Sequence, residues 1–410
     1  MRIVYVADAR SPIARSWMEP FIRAGHEVHV VSTFHAPGVP GAASFEVVPV
    51  GFSGLSRGGV VGGAGHGAAR PALPWLSGAG SMGLRASVRH WLGPVTIGPA
   101  AVRLRRILAR RKPELVHALR LPMEGMLAAA ADPDCPLAIS LWGNDLTLHA
   151  PAAPGMRRLT RKSLRRADGL ITDCRRDVRL AGQWGFAGGR PHALLPTNGG
   201  ISLTLFHPPT GGQEDSPLPP ALGNVAIRGR AETAVNPRGF RGYVRSDTFF
   251  RAVARLQPDR PALRFLCPAM AGEREAERWR ERMGVEQNVI LLPRLGPQEM
   301  AAVFRLSGIS VSVSEHDGTP NSLLEAMACG AFPVCGDLES IRDWIEDGVN
   351  GLLVDAGDPA GLAGAIARAL DDEGLRQRAA ELNQEHVRTR AERGKVFEEA
   401  EAFCRELVKR

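Results

Sequence analysis

The stretch that decides the fold is ISVSVSEHDGTPNSLLEAMACGAFPVCG, residues 309–336. It predicts a buried strand that ends at Ser314, a polar loop, and a helix that stops at Gly330, where the next strand begins. Thr319 suits the N-cap of this helix and Pro320 its first position, since these residue types favour those positions. A strand, a helix and a strand in this succession indicate a parallel sheet with crossover helices.

The same alternation extends along the whole chain. Short apolar runs, most without strict polar alternation, are separated by helical stretches, as expected for parallel strands covered on both faces. The strand candidates are residues 2–8, 27–33, 44–50, 115–119, 137–143, 169–174, 192–197, 224–230, 263–269, 288–294, 309–314, 331–336 and 351–355. The predicted fold class is α/β, with two doubly wound, Rossmann-like parallel-sheet domains that face each other across a cleft.

The length and composition define the domain organisation. A chain of 410 residues with 44% apolar residues suits two domains, each with its own core. The Pro- and Gly-rich residues 208–223 are predicted to be a linker between an N-terminal domain, residues 1–207, and a C-terminal domain, residues 224–378. A charged helix over residues 379–410 follows, and we expect it to pack back on the N-terminal domain.

Several classes of protein are excluded by the sequence. The apolar content excludes disorder, and no apolar run approaches the roughly twenty residues of a membrane span. The N-terminus, MRIVYVADAR, lacks the parts of a signal peptide. The six cysteines show no metal-ligand spacing. We therefore expect a reduced, cytoplasmic protein without a metal site.

Positive charge is concentrated in the first half of the chain. Residues 1–208 hold 25 basic and 12 acidic side chains, and the remainder holds 26 and 31. Basic residues recur at helical spacing over residues 156–166, a pattern compatible with contact with an anionic membrane surface, which would bring the protein to the inner face of the membrane. A solvated face in an Arg-rich protein with four lysines is the open alternative. No aromatic interleaving accompanies the charge, so nucleic acid is not an expected partner.

The start of the helix in residues 309–336 predicts an anion site. The backbone N–H groups of Asn321, Ser322 and Leu323 lack helical partners there, and the helix dipole adds positive character. Glu325 lies about two turns along, where ribose hydroxyls could donate to its carboxylate. Asp317 would reach toward the group attached to the phosphate. An ordinary turn with a solvated Asp and a surface Glu has the same spacing and is the open alternative.

Asp317 and Glu325 are separated by seven residues, and this spacing, continued by LEAMACG to Gly330, resembles a family signature. It is similar to the E-x7-E motif of the retaining glycosyltransferases of family 4, with Asp in place of the first Glu. The likeness continues in EDGVNGLLV, residues 346–354. In the first half it rests on GHEV, LVH, WGND and NGG at residues 25–28, 115–117, 142–145 and 198–200, in the family's order.

This resemblance implies a GT-B fold and a metal-independent transfer that retains the anomeric configuration. It implies no cofactor, because the nucleotide-diphosphate sugar is a substrate, with UDP expected ahead of GDP. Glu325 would hold the ribose and Asp317 the hydroxyls of the donor sugar. The backbone expected to meet the sugar and the diphosphate is that of Gly318, Thr319, Asn321, Ser322 and Leu323.

The diphosphate also needs cations, which the family supplies as an Arg and a Lys after the first strand of the C-terminal domain. This chain has no Lys there. Arg230 and Arg238 are the nearest matches and complete the predicted catalytic set with Asp317. Arg241 and Arg245 compete with them. We expect two arginines of this stretch to contact phosphate and the others to pair with acids.

The N-terminal domain is predicted to bind a hydroxyl acceptor: a glycan, a lipid-linked molecule or a small molecule. Asn144 and Asp145 follow a strand at its carboxyl end, where ligands bind, and capping of the next helix is the alternative. His117 ends another strand, and a core histidine is the alternative. The loop after the first strand lacks the family's Gly-Gly pair, so Arg10, Ser11 or Arg15 would contact acceptor or phosphate instead.

Two further functions are open at this stage. One is a sugar-nucleotide epimerase with the same fold. The other is a nucleotide-binding scaffold without turnover, because the side chain of Asp317 is one methylene shorter than that of the family's Glu.

Overall fold

The computed structural model describes residues 1–53, 89–196, 199–210, 219–223, 227 and 229–410 of the chain. The chain divides into two compact units. The first comprises Met1–Gly200 and Gly394–Arg410, and the second comprises Ile201–Arg393. Each unit holds one parallel sheet, which confirms the prediction of two Rossmann-like α/β domains.

The sheet of the first unit has seven described strands. They are β1 (Arg2–Ala7), β2 (Glu27–Ser32), β3 (Ser44–Val47), β4 (Leu115–Leu119), β5 (Leu137–Leu141), β6 (Gly169–Thr172) and β7 (His192–Leu194). Their order is β3-β2-β1-β4-β5-β6-β7, and every pair is parallel. The strand order reverses between β1 and β4, so their carboxyl ends form a topological switch point, where open α/β sheets bind ligands.

Helices cover both faces of this sheet. They are α1 (Pro12–Arg23), α2 (Ile97–Arg111), α3 (Met126–Ala131), α4 (Pro154–Arg166) and α5 (Arg175–Trp184). Because alternate residues of a strand point to opposite faces, Val4 and Val6 pack in one core with α2, α3 and α4, whereas Ile3 and Tyr5 pack in another with α1.

The second unit repeats this architecture with six described strands. They are β8 (Thr233–Val235), β9 (Arg264–Cys267), β10 (Val289–Leu291), β11 (Ile309–Ser312), β12 (Phe332–Gly336) and β13 (Leu352–Val354), in the order β10-β9-β8-β11-β12-β13. The switch point lies between β8 and β11. The helices are α6 (Ser246–Leu256), α7 (Arg274–Met283), α8 (Pro297–Leu306), α9 (Asn321–Ala328), α10 (Pro359–Asp371) and α11 (Glu373–Arg390).

The first strand of the second unit differs from the predicted one. Residues 224–226 and 228 of the predicted strand lie outside the described residues. Gly229 takes a φ of 110°, which interrupts an extended run, and a 3₁₀ turn follows over Arg230–Glu232. The first strand described in this sheet is therefore β8, and the residues that follow its carboxyl end are Asn236 to Gly239.

The predicted C-terminal helix is two helices, α11 and α12 (Arg393–Lys409). They are separated because the backbone there pairs with Ile201, whose N–H donates to the carbonyl of Ala391 at 2.7 Å. Only α12 belongs to the first unit, where Phe397 meets Phe21 edge to face with ring centroids 5.2 Å apart. The unit boundary falls at Gly200, a few residues before the predicted one, and residues 211–218 of the predicted linker lie outside the described residues.

Candidate functional site

The switch point of the second unit brings together the loops that follow β8 and β11. A backbone hydrogen bond joins them, from the N–H of Glu315 to the carbonyl of Tyr243 at 3.0 Å. The first loop carries Arg238 and the second carries Asp317. Two of the predicted site residues, far apart in sequence, therefore lie in adjoining loops at the ligand-binding edge of the sheet.

Arg238 and Asp317 form an ion pair that is nearly closed to solvent, with side-chain exposures of 9% and 13%. Nη2 of Arg238 donates to Oδ2 of Asp317, and Nη1 donates to Oγ of Ser322 at 3.4 Å. Burial by itself lowers the pKa of the Arg238 guanidinium, but the Asp317 carboxylate outweighs it and the pKa is raised. In the described part of the chain the buried Nε of Arg238 has no hydrogen-bond partner, which leaves it a donor for a ligand.

The helix after this loop begins one residue later than predicted. Pro320 is extended, with φ −69° and ψ 127°, and is the N-cap, so α9 starts at Asn321. Thr319 is therefore not the cap. Its hydroxyl accepts a hydrogen bond from Nε1 of Trp344 at 3.0 Å, and the carbonyl of Trp344 accepts one from Nδ2 of Asn350 at 2.8 Å. Asn350 of the DG-x-NG run thus positions Trp344, which in turn holds Thr319 in the loop before α9.

The first turn of α9 presents donors, although fewer than predicted. The N–H of Leu323 donates to the carbonyl of Pro320 at 3.0 Å and is not available. The N–H groups of Asn321 and Ser322 have no partner among the described residues. Together with Arg238, they form a compact set of donors for an anion at the positive end of the helix dipole.

Glu325 lies in the second turn of α9 and is half-buried. Burial raises the pKa of its carboxyl to about 7, although Arg393 lowers it. No hydrogen bond to this carboxyl is formed within the described residues. The carboxylate is thus poised to accept hydrogen bonds from a ligand.

Arg230 lies at the opposite edge of the sheet. Its guanidinium donates to the carbonyl of Arg305 and, at 2.7 Å, to that of Gly330, where α8 and α9 end. These carbonyls lie just before the strands β11 and β12 begin, whereas ligands bind where the strands end. The prediction that Arg230 meets the diphosphate is corrected, because β8 rather than the earlier run is the first strand and Arg238 follows it.

The other two candidate arginines form surface contacts. Arg245 binds the carboxylate of Asp247 with Nε and Nη2, at 2.9 and 3.0 Å, and Glu315 with Nη1 at 2.9 Å. Arg241 donates to the hydroxyl of Tyr243 at 2.9 Å. Arg245 thus pairs with acids, as expected for the arginines of this stretch that do not contact phosphate. Among the described residues, neither Arg241 nor Arg245 forms a hydrogen bond with the ion pair of Arg238 and Asp317.

In the first unit, His117 is a core residue rather than an acceptor-side group. It is fully buried, with Nε2 2.9 Å from Oγ of Ser140. Its ring packs against Tyr5 and Trp17, with centroids 5.4 and 5.9 Å away. Burial lowers its pKa to about 3, so it is neutral near pH 7. The acceptor role predicted for His117 is therefore corrected.

Asp145 is also fully buried, and it does not cap a helix with its side chain. Oδ1 accepts from Nε of Arg120 at 3.0 Å, and Oδ2 accepts from the N–H groups of Leu121 and Trp142, both at 3.1 Å. Burial raises the pKa of Asp145 and Arg120 lowers it, with a net rise. Asp145 thus ties together the loops after β4 and β5, whereas Oδ1 of Asn144 is buried without a partner in the described residues.

Arg10 and Ser11 follow β1. Arg10 binds the carboxylate of Asp8 at 2.9 and 3.0 Å and stacks over the ring of Phe34, 3.4 Å from its centroid. Oγ of Ser11 accepts from the N–H of Ala14 at 3.4 Å and caps α1. Arg10 therefore stays at the carboxyl edge of the sheet, and Ser11 has a structural role.

The sequence interpretation missed several polar residues at this edge. Glu124 is buried and accepts from the hydroxyl of Thr33 at 2.6 Å. Arg120 follows β4 directly, at the first switch point. A lone Glu within the apolar run LPMEGML, and an Arg immediately after a buried strand, are the signals that could have identified them. Arg89, His90 and His149 lie near Arg120 and Glu124 at this edge and were missed as well.

The structure gives the fold class: two α/β units, each with a switch point in its parallel sheet. Comparison with family models gives the family. Residues 11–196 match the profile of the glycosyl transferase 4-like domain, and residues 241–372 match that of glycosyl transferases group 1. The chain belongs to the glycosyltransferases of family 4, which have the GT-B fold.

Curated relatives share part of this chain. The D-inositol 3-phosphate glycosyltransferase of Acidothermus cellulolyticus is 32% identical over 140 residues, which cover 32% of this chain and 31% of the relative. The protein of the same name from Streptomyces griseus is 26% identical over 294 residues, or 67% of this chain and 58% of the relative. The matches therefore span between about a third and three fifths of the length of these relatives.

Solved structures support the fold. HepE from Anabaena, in complex with UDP, has a TM-score of 0.70 at 16% identity, covering 98% of this chain and 99% of that one. Sucrose-phosphate synthase from Thermosynechococcus elongatus has a TM-score of 0.75 at 15% identity, covering 99% of both chains. At this identity the similarity establishes the fold, which is the GT-B fold predicted from the sequence.

Proposed function

We propose that the protein is a retaining, metal-independent glycosyltransferase that moves a sugar from a nucleotide-diphosphate sugar to a hydroxyl acceptor. The observation that supports this most is the buried pair of Arg238 and Asp317 beside the free N–H groups of α9. UDP is the proposed nucleotide, because HepE, a structural neighbour, was solved with UDP. The names of the curated relatives support glycosyl transfer as the reaction.

The proposed reaction depends on stabilising the diphosphate leaving group and does not require a nucleophile from the protein. As the bond from the anomeric carbon to the diphosphate breaks, negative charge develops on the diphosphate oxygen. The Arg238 guanidinium and the N–H groups of Asn321 and Ser322 stabilise that charge without reorganising, and so provide the positive charge that a metal ion provides elsewhere. The acceptor hydroxyl attacks from the same face and gives its proton to the departing diphosphate.

The two carboxylates have separate tasks in this scheme. Asp317 accepts hydrogen bonds from hydroxyls of the donor sugar, and its pairing with Arg238 fixes its position. Glu325 accepts hydrogen bonds from the ribose hydroxyls and so fixes the position of the nucleotide in the donor site. Because Asp317 keeps the charge of the family's Glu and is anchored by Arg238, turnover is favoured over the scaffold alternative.

Calorimetric titration of UDP, GDP and ADP, and then of their sugars, tests the donor site. We expect one nucleotide to bind wild type and to lose most of its affinity in Glu325→Ala, because the ribose loses its acceptor. Glu381→Ala, an exposed carboxyl on α11 in the same unit, is the matched control and should bind normally. Binding of no nucleotide would contradict the assignment.

Turnover and its stereochemistry separate the three functions. Proton NMR of the glycoside formed from an α-linked donor should show an α product, as retention requires. A β product would contradict the retaining mechanism. Conversion of the nucleotide sugar without an acceptor would favour the epimerase, and tight binding without turnover over a broad acceptor panel would favour the scaffold.

We also propose that the protein works in the cytoplasm, at an anionic membrane surface that α4 contacts. The six cysteines, all within the described residues, are free thiols, as a reducing compartment favours. No described helix is long and apolar enough to cross a membrane. Helix α4 has no acidic residue and exposes Arg157, Arg158, Arg161, Lys162 and Arg165.

Exposed apolar side chains adjoin this basic helix. Trp91, Leu92 and Val95 are 62%, 51% and 74% exposed. Pro94, within the same segment, packs directly against Gly155 at the start of α4. A large aromatic and two aliphatic side chains beside a cationic helix are the combination that binds the interface of an anionic bilayer.

Reversing two of these charges should release the protein from vesicles. Each basic residue near an anionic surface contributes about 1 kcal/mol, so Arg158→Glu with Lys162→Glu is expected to weaken binding at least thirtyfold, or about 2 kcal/mol. Co-sedimentation with phosphatidylglycerol vesicles measures this, and phosphatidylcholine vesicles should bind neither protein. The charge-matched control is Arg274→Glu with Arg278→Glu on α7. Equal losses in both variants would contradict a specific surface.

A further inference from the structure

A chain of polar contacts runs across the switch point of the first sheet. Nε of Arg120 donates to Asp145 at 3.0 Å, and Nη2 of Arg120 lies 3.0 Å from Nε2 of His149. Nδ1 of His149 lies 3.1 Å from Nε2 of His90. Four side chains from three segments of the sequence are therefore linked end to end, from a buried carboxylate to a half-buried histidine, with Asp145 and His149 on the same helical turn.

The chemistry of arginine fixes the protons along this chain. A guanidinium only donates, so Nε2 of His149 accepts, and Nδ1 of His149 carries the proton. That proton is donated to Nε2 of His90, which leaves the proton of His90 on its Nδ1. Burial lowers the pKa of both rings, to about 3 for His149, so both are neutral near pH 7. Arg120 therefore donates to His149, His149 donates to His90, and the Nδ1–H of His90 is left as a donor at the end of the chain of contacts.

The backbone at Arg120 indicates that this arrangement is held in place. Its φ of 125° and ψ of 142° lie in a region that glycine occupies and other residues avoid. Such a conformation is energetically unfavourable and persists where the surroundings impose it. Asp145 imposes it here, since its carboxylate holds both the side chain of Arg120 and the N–H of Leu121.

Arg89 adds a second positive charge to the same edge. It is half-buried, with its guanidinium 5.1 Å from the ring centroid of Phe34, and it forms no hydrogen bond or ion pair within the described residues. Burial lowers its pKa, as do Arg120 and Arg10, whereas Glu124 and Asp8 raise it, with a net fall. A guanidinium removed from water without a paired carboxylate is costly, and a bound anion offsets that cost.

We infer that Arg89, Arg120 and the Nδ1–H of His90 form a binding site for a phosphate group carried by the acceptor. A phosphate monoester offers three oxygens, enough for two guanidinium groups and one ring N–H, and arginine forks match its geometry. This inference rests on the proposed function, which makes the first unit the acceptor domain. The phosphate belongs either to a soluble ester or to a lipid headgroup.

Titration of glycerol 3-phosphate at saturating UDP tests the site, because UDP occupies the donor site and removes it as a competitor for phosphate. Wild type should bind the ester, and Arg89→Gln should lose at least tenfold in affinity. Arg278→Gln, which removes the same charge from α7, is the control. Arg120→Gln is the second variant, and thermal unfolding of each variant verifies that it is folded.

Vesicles distinguish the two sources of phosphate. Phosphatidic acid carries a phosphate monoester and phosphatidylglycerol does not. Arg89-dependent preference for phosphatidic acid assigns a lipid headgroup, and Arg89-dependent binding of glycerol 3-phosphate assigns a soluble ester. Absence of both from a wild-type protein that binds UDP overturns the inference but leaves the donor site standing. Arg89-dependent phosphate binding by a protein that binds no nucleotide overturns the proposed function instead.

Discussion

Replacing Arg238 by Gln is expected to slow sugar transfer by about 10²- to 10³-fold, the usual effect of removing one donor from a site that stabilises developing negative charge. Nucleotide affinity should fall much less, because the charge on the leaving oxygen is larger in the transition state than in the bound donor. The measurement is kcat together with the dissociation constant of UDP. Arg278→Gln, on the outer face of α7, removes the same charge and should leave both values unchanged.

Two further variants locate the effect in the ion pair. Arg238→Lys keeps the charge but not the fork that reaches Asp317 and Ser322 together, so it should recover only part of the rate. In a double-mutant cycle, Asp317→Asn should add little to Arg238→Gln, because the residues act as one unit. Fully additive losses would show that the two residues act independently rather than as a pair, and a normal rate in Arg238→Gln would remove Arg238 from the site.

The local pattern in residues 309–336 predicted much of this site because its signals are local. A buried strand, a polar loop and a Gly-terminated helix follow from residue types within a few positions, and they place Asp317 and Glu325 beside an anion-binding helix start. The one-residue error at Thr319 arose because residue preferences place Thr at the N-cap and Pro at the first helical position. Here the extended backbone of Pro320 decides it.

The choice between Arg230 and Arg238 depended on where a short strand ends. Strand β8 has three residues, too few for a periodic signal, so the preceding apolar run was the more obvious candidate. Moving the strand by a few residues moves Arg230 from the ligand edge to the opposite edge. The sequence alone could not settle this, because the pairing of β8 with β9 and β11 is long-range.

The first unit was harder to predict because its polar cluster is assembled from distant segments. Arg89, Arg120 and the turn Asp145–His149 come from three distant segments, and no spacing connects these segments. His117 has the same sequence context whether it lies in the core or in a cleft, and only its fully buried position decides. The helix face of α4 was identifiable from charge alone, whereas its exposed apolar neighbours at residues 91–95 required the structure.

Replacing Glu325 by Gln should make the protein more stable and less able to bind its nucleotide. The carboxyl has a pKa of about 7 in the folded protein against 4.5 for an ordinary Glu. Since the folded pKa is the higher one, the fold loses stability as pH rises from about 4.5 to 7, and the loss is complete above pH 7. Gln is neutral at every pH, so at pH 8 it should add about 3 kcal/mol to the free energy of unfolding, and at pH 5 little.

Nucleotide binding should respond in the opposite direction. A ribose hydroxyl donates to the ionised carboxylate, and protonation removes that acceptor, so the affinity of wild type for UDP should fall by up to about tenfold from pH 8 to pH 6. In Glu325→Gln the affinity should be lower by at least about tenfold at pH 8 and should show no such dependence. Urea unfolding and calorimetry at pH 5, 6 and 8 measure both effects, with Glu381→Gln as the exposed control. A stabilised variant that binds UDP normally would show that Glu325 destabilises the fold and does not contact the nucleotide. A gain in stability together with a loss of affinity would show that the fold keeps a destabilising carboxylate because nucleotide binding requires it.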